Sequence, residues 1–73
     1  MAEGGKDKLV TLLNYWISHN SEHRDEFREW VEKLRGSGSG EVYAHILEAA
    51  QQMDKANQFL LKALEMLKAE QNA

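Results

Sequence analysis

Residues 19–23 read His-Asn-Ser-Glu-His, with Glu26 a little further on. H-x-x-E-H sets two imidazoles one helical turn apart with a carboxylate between them, the arrangement by which inverzincins hold zinc and use the Glu as base. On a helix His19, Glu22, His23 and Glu26 fall at i, i+3, i+4 and i+7 and share one face. Imidazole and carboxylate together suit zinc, nickel, copper or iron. His19 and His23 are therefore the candidate metal ligands, Glu22 and Glu26 the further donors, and zinc or nickel the candidate ion.

Peptidase chemistry asks for more than this. It needs a distant carboxylate ligand and a substrate cleft inside a much larger domain, and 73 residues leave no room for one. The expectation is a protein that is not an enzyme and carries no resident cofactor. One helix offers two ligands readily and four to one ion rarely, so a second helix must complete any metal site. His45 is the remaining histidine. In a helical hairpin it lies near Val31, about 12 Å along the axis from His23, which is too far for one ion within one chain. A second copy meeting the first across this helix would instead bring both His19–His23 pairs together.

The same residues also have a plainer use. Asn20 serves as a helix cap, or as a buried polar residue that fixes register at some cost in stability. His23 packs its ring beside Phe27 and hydrogen-bonds across the core, while Glu22 and Glu26 form a solvated face. A third use is a pH switch through the imidazoles.

The elements that must position these side chains are helices. Proline and cysteine are absent, β-branched residues are few, and Ala, Leu, Glu, Lys and Gln, all strong helix formers, dominate. Disulfides and thiolate metal sites are thereby excluded. Net charge is −3 with basic residues scattered, so no basic stripe marks a nucleic-acid binder. No apolar run approaches the roughly 20 residues that span a bilayer, and the first residues form no apolar signal segment. A cytoplasmic location is expected.

The fold class read from this pattern is all-α. Residues 1–6 are expected to be disordered, with Asp7 capping the first helix. Residues 7–70 form one helical-bundle domain with a flexible turn at 36–40, GSGSG. Leu9, Leu13, Trp16, Asn20, His23, Phe27, Trp30 and Leu34 keep a four-three spacing. So do Val42, Ile46, Ala49, Met53, Ala56, Leu60, Ala63 and Leu67. The unbroken phase through the polar stretch favours an antiparallel hairpin of two helices, each about 45 Å long. The competing reading breaks the chain at Asn20 and gives a three-helix bundle with helices at 7–19, 21–35 and 41–70, the first two continuous in the hairpin version. Trp16 and Trp30 read as core anchors, Met53 and Met66 as core fillers, Tyr15 and Tyr43 as rim residues. A two-helix hairpin has too little core alone, so a dimer is expected.

Trp16, Ile17, His19, Asn20 and His23, followed by Phe27, Trp30 and a long Ala/Leu-rich helix, carry a resemblance. The chain resembles a small uncharacterised prokaryotic helical domain with the pattern W-I-x-H-N-x-x-H, over about residues 9–67. The resemblance implies that Trp16, His19, Asn20, His23 and Trp30 are a signature of that domain, and it supplies no activity. The function expected is a non-catalytic protein-interaction or oligomerisation module, its partner a second copy or another protein. The alternative is a small transition-metal-binding or metal-sensing module using His19 and His23.

Overall fold

The computed structural model describes residues 2–37 and 40–72, the first three of these by their backbone alone. Two α-helices of 33 residues each, α1 (Ala2–Leu34) and α2 (Gly40–Asn72), pack against each other along their length. The rod they make measures 53 × 15 × 14 Å over its Cα atoms. At 1.5 Å per residue each helix alone accounts for about 50 Å of that length. Asp7 meets Gln71 at one end and Asn20 meets Asn57 near the middle, so the helices are antiparallel.

The hairpin reading holds, and the three-helix reading does not. α1 runs through the polar stretch without a break because its polar side chains find partners along the helix. Ser21 Oγ donates to the Ile17 carbonyl at 2.9 Å, and Asn14 Nδ2 to the Val10 carbonyl at 3.1 Å. Such bonds to the carbonyl one turn earlier let short polar residues sit inside a helix. Asn20 is therefore no cap. Nor is Asp7, because α1 begins at Ala2 rather than residue 7. Met1 lies outside the described residues. Asp7 Oδ1 instead accepts from Gln71 Nε2 at 3.1 Å.

The turn begins at Gly36, whose φ of +86° is a left-handed conformation that residues with a Cβ adopt at a cost. The Leu34 carbonyl accepts from the Ser37 amide at 3.0 Å, and from Ser37 Oγ and Tyr43 Oη at 2.6 Å each. Gly38 and Ser39, in the middle of the expected flexible turn, lie outside the described residues.

The seam differs from the expected one by a single row on each helix. On α1 the seam row is Val10, Leu13, Ile17, Asn20, Arg24, Phe27 and Val31, all buried or half-buried, with Leu12, Ser21 and His23 half-buried at its flanks. On α2 the seam row is Tyr43, Ile46, Ala50, Met53, Asn57, Leu60, Leu64 and Leu67, with Asp54 half-buried beside it. The rows through Asn20 and through Met53 are as expected. Leu9, Trp16, His23 and Trp30 give way to Val10, Ile17, Arg24 and Val31; Val42, Ala49, Ala56 and Ala63 give way to Tyr43, Ala50, Asn57 and Leu64. Both alternatives are largely apolar, so periodicity alone does not separate them. Polar pairing does: this seam lets Asn57 and Arg24 find partners across the helices, which the other would turn outward. The small β-branched Val10, Ile17 and Val31 also fill a two-helix gap that two indoles would force apart.

A cluster of buried side chains lies toward the chain ends, where Leu13, Leu64 and Leu67 are buried with Val10, Ile17 and Leu60 against them, while Val31 and Ala50 are buried nearer the turn. Trp16 and Trp30 are 40% and 55% exposed, so neither anchors this core. Met66, at 62%, does not fill it either. Met53 is half-buried, as is Tyr43, while Tyr15 is exposed.

Candidate functional site

His19 and His23 stand one turn apart on α1, and the helix brings their rings together. The two Nε2 atoms are 3.0 Å apart, with the rings nearly perpendicular at 86°. Tyr15 stacks on His19 from one side, with centroids 5.4 Å apart, and Phe27 lies against His23 from the other at 6.2 Å. The four rings make one ladder along the helix. Glu26 Oε1 lies 3.7 Å from His23 Nδ1. Glu22 is exposed and takes no part in the ladder. The expected packing of His23 beside Phe27 is present. Its hydrogen bond runs along α1 to His19 rather than across the core.

His45 sits apart from this pair, as expected from the hairpin. Its Nδ1 is 2.7 Å from the Glu41 carbonyl, and its ring lines an apolar groove with Phe27, Trp30, Ile46 and Ala49. Among the described residues, no group of three or more His, Asp or Glu side chains gathers at a point that could hold a metal ion. One chain offers the His19–His23 pair with Glu26 behind it.

A polar network occupies the middle of the seam. Asn57, 7% exposed, is the buried polar residue among those described. Asn20 Nδ2 donates to Asn57 Oδ1 at 3.1 Å, and Asn57 Nδ2 donates to Ser21 Oγ at 3.1 Å and the Ile17 carbonyl at 3.3 Å. Asp54 accepts from Arg24 Nη1 at 2.7 Å and from Arg28 Nη2 at 2.9 Å. The Arg24 hydrogen bond is the main reason that the Asp54 carboxyl is held below the ordinary carboxylate range, and Asp54 in turn raises the Arg24 guanidinium. Sequence reasoning singled out Asn20 and missed Asn57, Arg24 and Asp54. The signal for Asn57 was its four-three phase with Ala50, Met53, Leu60 and Leu64.

The network and the histidine ladder lie on opposite sides of the hairpin. Ser21, Arg24, Arg28 and Asp54 face one way. The rows that the seam leaves out face the other: Leu9, Trp16, His23 and Trp30 with Leu12, His19, Glu26 and Lys33 on α1, and Val42, Ala49, Ala56 and Ala63 with His45, Gln52, Phe59 and Met66 on α2. Of the chain's nine basic and twelve acidic residues, these rows hold Glu26 and Lys33, with Glu70 where the Ala63 row continues at the end of α2. Lys33 Nζ lies over the Trp30 ring, 4.8 Å from its centroid. Leu9, Val42, Phe59 and Met66 are exposed there along with both tryptophans. Among the described residues, the other side shows only Leu47 and Leu61 as large exposed apolar residues beside its charges.

Residues 9–67 of the chain match a domain of unknown function, DUF8180. The chain belongs to that family. It is also 34% identical over 61 residues to an uncharacterised protein of the archaeon Archaeoglobus fulgidus, an overlap of 84% of this chain and 97% of that protein. No solved structure matches the chain. The family spans the stretch over which the sequence resembles a small prokaryotic helical domain, and its role is unknown. Among the described residues no helix is long and apolar enough to cross a membrane.

Proposed function

We propose that this family member is a self-associating helical module that acts by binding, not by catalysis, and that its apolar side packs on the same side of a second copy. The carrying observation is surface area. A compact monomer of 8.4 kDa exposes about 4,600 Å². This hairpin exposes 5648 Å². The excess, about 1,000 Å², slightly exceeds the ~800 Å² that each partner buries in a stable interface of ordinary size.

Shape and chemistry support the same occupant. The radius of gyration is 16.6 Å, against about 11 Å for a globular chain of this length. Two such rods laid side by side give the four-helix cross-section that bundles favour. The exposed side is aromatic and alanine-rich and nearly free of charge, the composition of an interface core. Its Ala49, Ala56 and Ala63 row admits close approach by large side chains, and the tryptophans and Phe59 of a second copy are such side chains. Lys33 and Glu26 sit at the edge, as rim charges do.

Sedimentation equilibrium in the presence of a chelator tests this. The expected mass is twice 8.4 kDa at micromolar concentration. A folded, fully helical monomer across the accessible concentration range would overturn the reading. A mass of two chains that fails to change with substitutions on the Trp16–Trp30 side would place the interface elsewhere and overturn it equally.

A further inference from the structure

We infer that His19 and His23 are half of a divalent transition-metal site, and that the other half is the same pair from a second copy. This rests on the self-association proposed above. It also stands on observations of its own.

The first is the distance between the two Nε2 atoms. Imidazole nitrogens bind zinc at about 2.0–2.1 Å. Two of them in neighbouring coordination positions are then about 2.9 Å apart at a right angle and about 3.4 Å apart at the tetrahedral angle, and the 3.0 Å between the Nε2 atoms of His19 and His23 falls within that span. The metal-free chain uses that separation for a hydrogen bond, one ring donating and the other accepting. A metal ion takes both lone pairs instead.

The second is the carboxylate behind the pair. Glu26 Oε1 lies 3.7 Å from His23 Nδ1, on the far side of the ring from His19. A carboxylate there favours the tautomer with its proton on Nδ1, which leaves the Nε2 lone pair free. His19 is then the donor in the metal-free pair. On metal binding its proton moves from Nε2 to Nδ1, or to solvent and back. Tyr15 and Phe27 hold the two rings in place by stacking, so little side-chain freedom remains to be lost.

The third is position. His23 lies in the apolar side, seven residues from Trp16 and seven from Trp30 in the same row. A two-fold axis crossing α1 at the level of residue 21, midway between His19 and His23, lays α1 antiparallel on its copy and brings the two histidine pairs together at the axis. Trp30 of one copy then lies opposite Leu12 of the other, and Trp16 opposite Glu26. Two ligands leave such an ion half-coordinated, and four imidazoles complete a tetrahedral or square set. The site sits where the aromatic row of this side is interrupted by polar side chains, which a purely apolar interface does not call for.

The test uses the full chain, freed of metal with a chelator and then dialysed, and nickel as the probe. Calorimetric titration should give saturable binding at one nickel per two chains. His19→Ala and His23→Gln should each abolish it, with helicity unchanged by circular dichroism because neither side chain belongs to the buried core of the hairpin. Glu26→Gln should weaken it by roughly tenfold or more, as loss of a carboxylate behind a ligating histidine does. No saturable binding would overturn the inference. So would one ion per chain, or a loss in His45→Ala while His19 and His23 are intact and the two-chain mass is unchanged. Mass measured with and without nickel separates the two proposals. A chelator-resistant dimer that ignores nickel removes the metal site and leaves self-association standing; a monomer under both conditions removes both.

Discussion

Asn20 and Asn57 hydrogen-bond to each other across the hairpin, 37 residues apart in sequence, at the one place where a buried polar side chain interrupts the described seam. Every polar atom of Asn57 is used: its oxygen by Asn20, its nitrogen by Ser21 and by the Ile17 carbonyl. Only one register of α1 against α2 satisfies all three. A helix slipped by one turn would bury an unpaired amide, at a cost of about 1–3 kcal/mol. The pair thus selects the register that the leucines and valines alone would leave loosely chosen.

Asn57→Ala should accordingly lower the unfolding free energy by about 1–3 kcal/mol, because it removes the acceptor of Asn20. Chemical denaturation measures this. Replacing both residues together, Asn20→Leu with Asn57→Leu, should recover most or all of the loss, since no half-satisfied amide remains. A double-mutant cycle should give a coupling on the order of 0.5–3 kcal/mol. Additive effects would mean that the two amides do not act as a pair.

Asp54 makes the acid limb of stability predictable in sign. Its carboxyl is held below the ordinary range, chiefly by the Arg24 hydrogen bond. A group with a lowered pKa in the folded chain contributes stability that is fully present above its unfolded value of about 4. That contribution fades as pH falls through the lower folded value. Stability followed from neutral pH down to strong acid should therefore drop below about pH 4, and Asp54→Asn should flatten this part of the curve. The side chain is about one-third exposed at 34%, so salt should weaken the effect. An acid limb unchanged by the substitution would assign it to other carboxylates.

Much of this arrangement was legible in the sequence, and the part that was not has a specific cause. The helices, their antiparallel pairing, and the rows through Asn20 and Met53 follow from the four-three spacing. The second row of each seam does not, because α1 offers Leu9, Trp16 and Trp30 beside Val10, Ile17 and Val31. Size and hydrophobicity point to the tryptophans; pairing of Asn57 and Arg24 points the other way, and those partners are known only once the helices are side by side. The same ambiguity is informative in retrospect. A helix with two acceptable seams has two apolar sides, and only one is used within the chain. For the histidines, spacing on a helix was enough to place His19 beside His23 and to keep His45 away from them. The Glu26 contact was foreseeable from i,i+3 spacing, whereas the Tyr15 and Phe27 stacking depended on which way the rings turned.

Gly36 and Gly5 should respond to alanine in opposite directions. A Cβ at either position meets nothing within 4 Å, so crowding plays no part. At Gly36 the φ of +86° makes alanine costly, about 1–2 kcal/mol. Gly5 lies inside α1, where alanine should stabilise by up to about 1 kcal/mol, less whatever fraying of the first turns takes away. Thermal melts of the two variants provide the comparison. A neutral Gly36→Ala would show that the turn can be made without the left-handed residue.

The aromatic side yields the sharpest test of how the chain is used. Trp30 is 55% exposed and Phe59 74%, and each presents a ring where a monomer has nothing to gain from it. If these rings are buried between copies, Trp30→Glu or Phe59→Glu places a charge in the middle of an apolar contact. Either should shift the chain to the 8.4 kDa monomer. Leu61→Glu is the matched control: it is 45% exposed on the side that carries Arg24, Arg28 and Asp54, and its mass should stay at two chains. Because an associating fold is stabilised by its own concentration, the melting temperature of the unaltered chain should rise with concentration. That dependence should vanish in the Trp30 and Phe59 variants and persist in the Leu61 variant. The reverse pattern, with Leu61→Glu dissociating the assembly and Trp30→Glu leaving it intact, would move the interface to the charged side. It would then leave the two tryptophans and the histidine ladder of α1 and the alanine row of α2 facing solvent.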